Sequence, residues 1–148
     1  MRTGNLIVVL ILLVFISCEE LTNIPFSATS YDLWRSFNLH DYSIEQVRYC
    51  FCPDAGEKVK VTVHSDSVCS VIRISDSAII PYPTSKLYLS VDSLFGVIQN
   101  SKGDSLVVTY DSKYGYPNKL DINPQLHPVD GGVMYETSNL QFSKYKFP

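Results

Sequence analysis

The chain has 148 residues, and its 12 basic and 15 acidic residues leave a net charge of −3. A mildly acidic balance offers no electrostatic footprint for nucleic acid, and the length fits one domain with an ordinary hydrophobic core. Ten tyrosines and a single tryptophan, with Val, Ile, Thr and Ser common and Lys, Glu and Ala sparse, favour strands over helices.

Arg2 precedes an unbroken apolar run from Leu6 to Ile16, followed by Ser17 and Cys18. A positive start, an apolar core of this length and a small residue at the cut describe a secretory signal over residues 1–17. The run is too short to cross a membrane comfortably, which takes about 20 residues. Phe15-Ile16-Ser17-Cys18 resembles a bacterial lipobox, in which cleavage precedes the cysteine and that cysteine is lipidated. The match holds at Ser17 and Cys18 and departs at Phe15, where the pattern prefers Leu, so cleavage without lipid stays open. The resemblance implies an exported protein held to the cell membrane or outer membrane by acyl chains on Cys18. Loss of Arg2 with the leader would leave 11 basic against 15 acidic residues, a net charge of −4.

Residues 18–29 are polar, contain Pro25 and show no period, which predicts a flexible tether before a single domain over 30–148. Ser30 is expected to cap a short helix from Tyr31 to about Leu39, with Leu33, Trp34 and Phe37 on one face. Tyr42 to Cys52 reads as a strand with a change of phase: Tyr42 and Ile44 are apolar at even positions, Val47, Tyr49 and Phe51 at odd ones. One extra residue near Glu45-Gln46, a β-bulge, would produce that switch. Pro53 to Glu57 is a turn. Lys58 to His64 alternates with Val59, Val61 and Val63 on one side. Ser65-Asp66 reads as a tight turn lacking the preferred Gly, and Val68 to Ile74 as the return strand. Asp76 to Lys86, with Pro81 and Pro83, is irregular. Ser90 caps a second helix whose Val91, Leu94, Phe95 and Ile98 have the spacing of a buried face. Strands follow over Ser105 to Tyr110, Asn118 to Ile122 and Gly132 to about Leu140. Consecutive strands joined by short turns pair antiparallel. The predicted fold is α+β: a twisted antiparallel sheet of five to six strands with two short helices packed on one face.

Beyond Cys18, three cysteines remain, an odd number for an exported chain. Turn logic at Ser65-Asp66 places Cys69 opposite Thr62; the turn after Cys52 places Cys50 opposite Lys60 and Cys52 opposite Lys58. Cys50 and Cys69 are then ~12 Å apart, beyond the ~7 Å that a disulfide spans. Cys50 and Cys52, ~6.8 Å apart along an extended strand, stand at that limit. They are the disulfide candidate, and Cys69 is expected free. A zinc site from these cysteines and His64 is disfavoured because the same register spreads the ligands over three strands, so no metal and no cofactor is expected.

The loop Asp111 to Pro117 is a second candidate. Tyr114 and Tyr116 flank Gly115 between two strands, and tyrosine is a good recognition residue. The competing reading is a structural turn with Tyr116 folded onto the sheet and Pro117 fixing the exit. G-x-S-x-G, H-E-x-x-H, P-loop and G-x-G-x-x-G signatures do not occur, and His40, His64 and His127 are scattered, so no catalytic residue is assigned.

Trp34, Tyr42, the CFC of Cys50-Phe51-Cys52, VDSLFGVI, VTYDSKYGYPNKLDIN and YETSNL together resemble a bacterial family of unknown function, DUF6174. The resemblance covers about Trp34 to Leu140, and CFC and Y-D-x-x-x-G-Y-P are its most specific phrases. Ser90 stands where the family usually has Thr, and Ser93 where it usually has an acid. The resemblance implies a small secreted or lipid-anchored domain and carries no activity, substrate or cofactor. Two functions follow as expectations. One is a non-catalytic envelope module that binds a protein or peptide through the sheet face or through Asp111, Tyr114, Gly115, Tyr116 and Pro117. The other is a thiol-dependent redox or redox-sensing protein using Cys50 and Cys52.

Overall fold

Lys58, Val59, Lys60, Val61, Thr62, Val63 and His64 alternate along one strand, and the valines are fully buried while the residues between them face outward. That strand sits in a six-stranded, fully antiparallel open sheet of order β3-β2-β1-β6-β5-β4, seen in a computed structural model that describes residues 26–129 and 131–142. The strands are β1 Tyr42–Tyr49, β2 Lys58–His64, β3 Ser67–Arg73, β4 Leu106–Tyr110, β5 Pro117–Ile122 and β6 Val133–Gln141, with helices α1 Ala28–Ser36 and α2 Val91–Asn100. The expected leader, Cys18 and most of the expected tether lie outside the described residues. The predicted α+β class and sheet are present. Both helices contribute to one core, built on the valine side of the sheet around Trp34, Ile44, Leu94, Phe95 and Leu120.

Helix α2 forms as its spacing dictates. Ser90 Oγ accepts from the Ser93 amide at 3.1 Å, Asp92 occupies the first turn, and Val91, Leu94, Phe95 and Ile98 are its buried residues. Its first amide, on Val91, donates to the hydroxyl of Tyr42 at 2.9 Å, so the sheet itself completes the helix N-terminus. Burial pushes the Tyr42 phenol well above its usual range, and the Val91 amide opposes that rise.

Helix α1 begins and ends earlier than predicted. Ser27, not Ser30, is the cap, accepting from the Ser30 amide at 3.1 Å. Phe26, just before the cap, packs on Tyr31 four residues into the helix, with ring centroids 5.7 Å apart. This hydrophobic staple fixes the entry into the helix, so α1 and its cap already occupy the last residues of the stretch read as tether. Asn38, at φ 49°, ends the helical path.

The second correction is in β1. No bulge intervenes at Glu45-Gln46. Pairing with β2 runs without a break from Tyr42↔Val63 to Val47↔Lys58, and the even positions stay on the core side throughout. Gln46 and Arg48 are therefore buried. Gln46 satisfies itself by mimicking a strand: its amide donates to the Leu89 carbonyl at 3.2 Å and accepts from the Leu89 amide at 2.9 Å. Arg48 lies over the ring of Tyr88, 5.7 Å from its centroid. These two side chains bind the segment before α2 to the sheet. The register shift does occur next door, between β1 and β6 at Ser43/Glu45, where Asn139 adopts φ 52°.

The β2–β3 hairpin turns at Ser65 and Asp66, both with positive φ, the requirement of a type I′ turn. Two contacts supply what glycine would otherwise provide: Asp41 Oδ1 accepts from the Ser65 amide at 3.0 Å and the His40 carbonyl accepts from the Asp66 amide at 3.1 Å. The first of these holds the Asp41 carboxyl below its ordinary value.

Candidate functional site

The disulfide candidate is at the end of β1. The strand stops at Tyr49, and Val47, not Cys52, stands opposite Lys58. The expected pairing of Cys50 with Lys60 and of Cys52 with Lys58 is therefore wrong by five residues. The reason is local. Pro53 has no amide to donate to a ladder, and Gly56, at φ 79°, returns its amide to the Arg48 carbonyl at 2.8 Å. Residues 50–57 become a loop. Within it the Cα atoms of Cys50 and Cys52 are 5.3 Å apart and the sulfurs lie at disulfide distance. Bending the chain has removed the mismatch that an extended strand would impose.

Phe51, between the two cysteines, is 82% exposed. Tyr49 and Ile74 are also exposed, and the Ile74 amide donates to the Lys58 carbonyl at 3.0 Å. Arg73 binds the loop to the end of β3. Its guanidinium is 3.3 Å from Asp54, 3.6 Å from Glu57 and 3.0 Å from Asp76.

Cys69 is free and exposed. The hairpin register near the turn, Val63↔Val68 and His64↔Ser67, is the one expected, but beyond it Thr62 pairs with Ser70. Cys69 is the extra residue of that bulge, and its thiol donates to the Thr62 carbonyl at 3.4 Å. It lines an open trough of about 640 Å³ together with Lys60, Thr62, His64, Gln141 and Phe142. A smaller hollow, bounded by Ser43, Glu45, Lys60, Ile74 and Gln141, shares Ser43, Lys60 and Gln141 with the trough. Asp41 is at the rim, 2.6 Å from His64 Nδ1. Both hollows lie on the face of the sheet away from the helices.

The tyrosine loop faces inward. Asp111 Oδ1 accepts from the amides of Lys113 and Tyr114 at 3.0 and 2.7 Å, and the Asp111 carbonyl accepts from Gly115 at 2.9 Å. Tyr116 is 5% exposed and meets Trp34 edge-on at 6.5 Å; burial pushes its phenol up to about 12. Pro117 is fully buried. Tyr114, partly buried, packs between Phe37 and Phe142, 5.2 and 5.7 Å away. Gly115, at φ 79°, sits against the Ser30 carbonyl, where a Cβ would overlap it. The loop is thus the seat of α1.

The other histidines are taken up separately: His40 by Asp66 at 2.9 Å and His127 by the largely buried Asp121 at 3.0 Å. Among the described residues no three His, Cys, Asp or Glu side chains come together as a metal-ligand set, and no helix is long and apolar enough to cross a membrane.

The sequence profile of the family of unknown function DUF6174 matches residues 27–142. The chain belongs to that family. The match starts at the observed helix cap, Ser27, and reaches just past the end of β6. No curated protein and no solved structure matches the chain.

Proposed function

We propose that this DUF6174 domain is a non-catalytic interaction module of the cell envelope, anchored by lipid at Cys18, that binds a protein or peptide across the outer face of its sheet. The observation that supports this reading is the trough on that face. The helices cover the opposite side, and Tyr116 of the tyrosine loop is committed to the core. The trough is open, sizeable and lined by side chains of several strands, Lys60, Thr62, Cys69 and Gln141 among them. Its lining is mostly apolar with polar side chains set among it, the make-up of the central part of a protein contact.

The experiment is to fill the trough. Thr62→Arg, and separately Cys69 alkylated with a bulky maleimide, should abolish co-purification of the partner from native envelopes while leaving circular dichroism and melting temperature unchanged. Retention of the partner by both forms would sink the reading. Intact-mass analysis and non-reducing peptide mapping of the native protein check the rest. The expected result is a lipidated N-terminus at Cys18, Cys50 and Cys52 linked within one fragment, and Cys69 alkylatable. An unmodified terminus elsewhere removes the anchor.

The disulfide-distance pair Cys50 and Cys52 favours a second reading, a thiol-dependent redox role. It predicts reduction of a protein disulfide above background by the native protein, lost in Cys50→Ser with Cys52→Ser. Background rates in the native protein exclude it.

A further inference from the structure

We infer that β4, the free edge of the sheet, pairs with β4 of a second copy of this chain, antiparallel and centred on Val107. The contact is separate from the trough. It rests on the anchor at Cys18 only for what brings the two copies together.

The two edges of the sheet are not alike. β3 is covered: Ile72 bridges to Ile79, the Arg73 amide donates to the Ala78 carbonyl at 2.8 Å, and the Ile80 amide donates to the Val71 carbonyl at 2.9 Å. β4 ends the strand order, and no described segment bridges to its outer side. One bond settles which of its backbone groups are left over. The Asn123 amide donates to the Ser105 carbonyl at 2.7 Å, and the same register continues as Leu106↔Ile122, Val107↔Asp121, Val108↔Leu120 and Thr109↔Lys119. Bonded and non-bonded pairs alternate in an antiparallel ladder, so Val107 and Thr109 turn their backbone groups to β5. The amides and carbonyls of Leu106 and Val108 point out of the edge and have no partner among the described residues. Proteins usually blunt such an edge with a lysine, a proline, a bulge or a covering segment. Leu-Val-Val-Thr-Tyr holds neither lysine nor proline, and its register shift, at Thr109/Tyr110, lies beyond these groups.

A second copy matches them. With Leu106 of each copy opposite Val108 of the other, the free groups close four hydrogen bonds. Val107 then meets its own counterpart on the two-fold axis, in a non-bonded pair, where cross-strand side chains come closest. Val107 is 42% exposed, so the pairing also covers apolar surface. The contact uses the same patch on both copies and closes as a dimer; the covered β3 edge stops the sheet from growing further.

The place where the described chain begins favours a second copy over a foreign strand. Phe26 packs on Tyr31 and Phe95, on the helix side of the sheet, and the Ser27 amide donates to the Tyr110 hydroxyl at 3.2 Å, at the end of β4. The two-fold axis of an antiparallel strand pair is perpendicular to the sheet. Both copies therefore present their helices and N-terminal ends on one side. Residues 18–25 span at most about 28 Å when extended. With Cys18 lipidated, as proposed above, both anchors reach one bilayer and raise the effective concentration of each copy for the other. Four backbone bonds and one side-chain pair make a small contact, the kind that depends on such confinement.

The test is disulfide capture of the full chain in its native envelope, with Cys69→Ser removing the free thiol. Val107→Cys should give a covalent dimer on a non-reducing gel, because its two Cα atoms would stand about 4.5 Å apart. Thr109→Cys alone should give none, its counterpart being about 14 Å away. Ser105→Cys and Thr109→Cys in one chain should restore the dimer, since each faces the other across the pair, while within one strand they are too far apart to join. Adding Val107→Lys to that double-cysteine chain should lower the dimer yield about tenfold or more, as like charges meet on the axis. Circular dichroism and melting temperature check that each variant is folded. Four results overturn the inference: no dimer from Val107→Cys, an equal dimer from Thr109→Cys alone, a yield indifferent to Val107→Lys, or a mixed disulfide with a protein of another mass. Intact mass separates this from the anchor. A register-specific dimer without lipid at Cys18 keeps the pairing and removes the anchor; lipid without the dimer keeps the anchor and removes the pairing; absence of both removes both.

Discussion

Phe95→Ala is expected to destabilise the domain by about 3–5 kcal/mol. The ring is 1% exposed and its surroundings are aromatic on every side that matters. Tyr31 meets it edge-on at 4.9 Å, Tyr110 stacks on it at 5.9 Å, and Phe26 reaches it at 6.4 Å. Those neighbours come from α1, β4 and the residue that staples α1. Deleting the ring leaves a cavity where three elements meet, and rigid rings close such a cavity poorly. Chemical denaturation measures the effect. A shift under about half a kcal/mol, the size of a surface substitution, would mean that the α2 face has been misassigned.

What the sequence discloses about this fold depends on how local the cause is. The buried face of α2 is legible because 3.6-residue spacing, a serine cap and an acidic first turn all agree. The same holds for β2, whose three valines alternate without interruption. β1 misleads because its two buried polar residues interrupt that pattern. Gln46 and Arg48 continue the even-numbered core face of Tyr42 and Ile44, yet a polar residue at a core position looks like a break in phase. Only the partner explains it, and that partner is the Leu89 backbone, 43 residues away. Helix α1 shows a smaller ambiguity. Ser27 and Ser30 have equal capping chemistry, and the decision rests on Phe26 meeting Tyr31 as a staple, a signal visible in the sequence but outweighed by the proline-containing stretch before it.

The candidate site divides in the same way. The closeness of Cys50 and Cys52 follows from their spacing, whereas the register across the sheet does not. That register depends on where β1 stops, and β1 stops because a loop of eight residues, 50–57, closes on Arg48 through Gly56. The exposed Phe51 was hidden by the expectation of a longer strand, in which it would be one more apolar position. The trough needs the sheet order itself, since Gln141 of β6 and Cys69 of β3 line it together. Two strands lie between β6 and β3, and a single chain's periodicity carries no information about that.

Gly115→Ala is expected to lower stability by roughly 2–6 kcal/mol, from two separate contributions. A non-glycine residue in the left-handed region costs about 1–3 kcal/mol, and Gly115 is at φ 79°. Forcing an extra carbon into a filled contact costs about 1–3 kcal/mol more. The added Cβ would overlap the Ser30 carbonyl and come within 3.1 Å of the Leu33 Cβ, so the colliding surface is the body of α1 rather than a movable side-chain tip. The strain should therefore appear as displacement of α1. Trp34, the only tryptophan, reports it: its ring is 2% exposed, packed on Tyr42 at 5.4 Å, and its indole nitrogen donates to Asp92 at 3.3 Å. Its emission should shift to the red in the variant under conditions where the unsubstituted protein is fully folded. Gly96→Ala is the control. Nothing lies within 4 Å of its added carbon, and in a helix interior alanine is favoured over glycine by about 0.5–1 kcal/mol, so that variant should melt higher with its tryptophan emission unchanged. If Gly115→Ala leaves both stability and emission as they were, the loop does not seat α1, and Tyr114 and Tyr116 would again have to be explained by a partner.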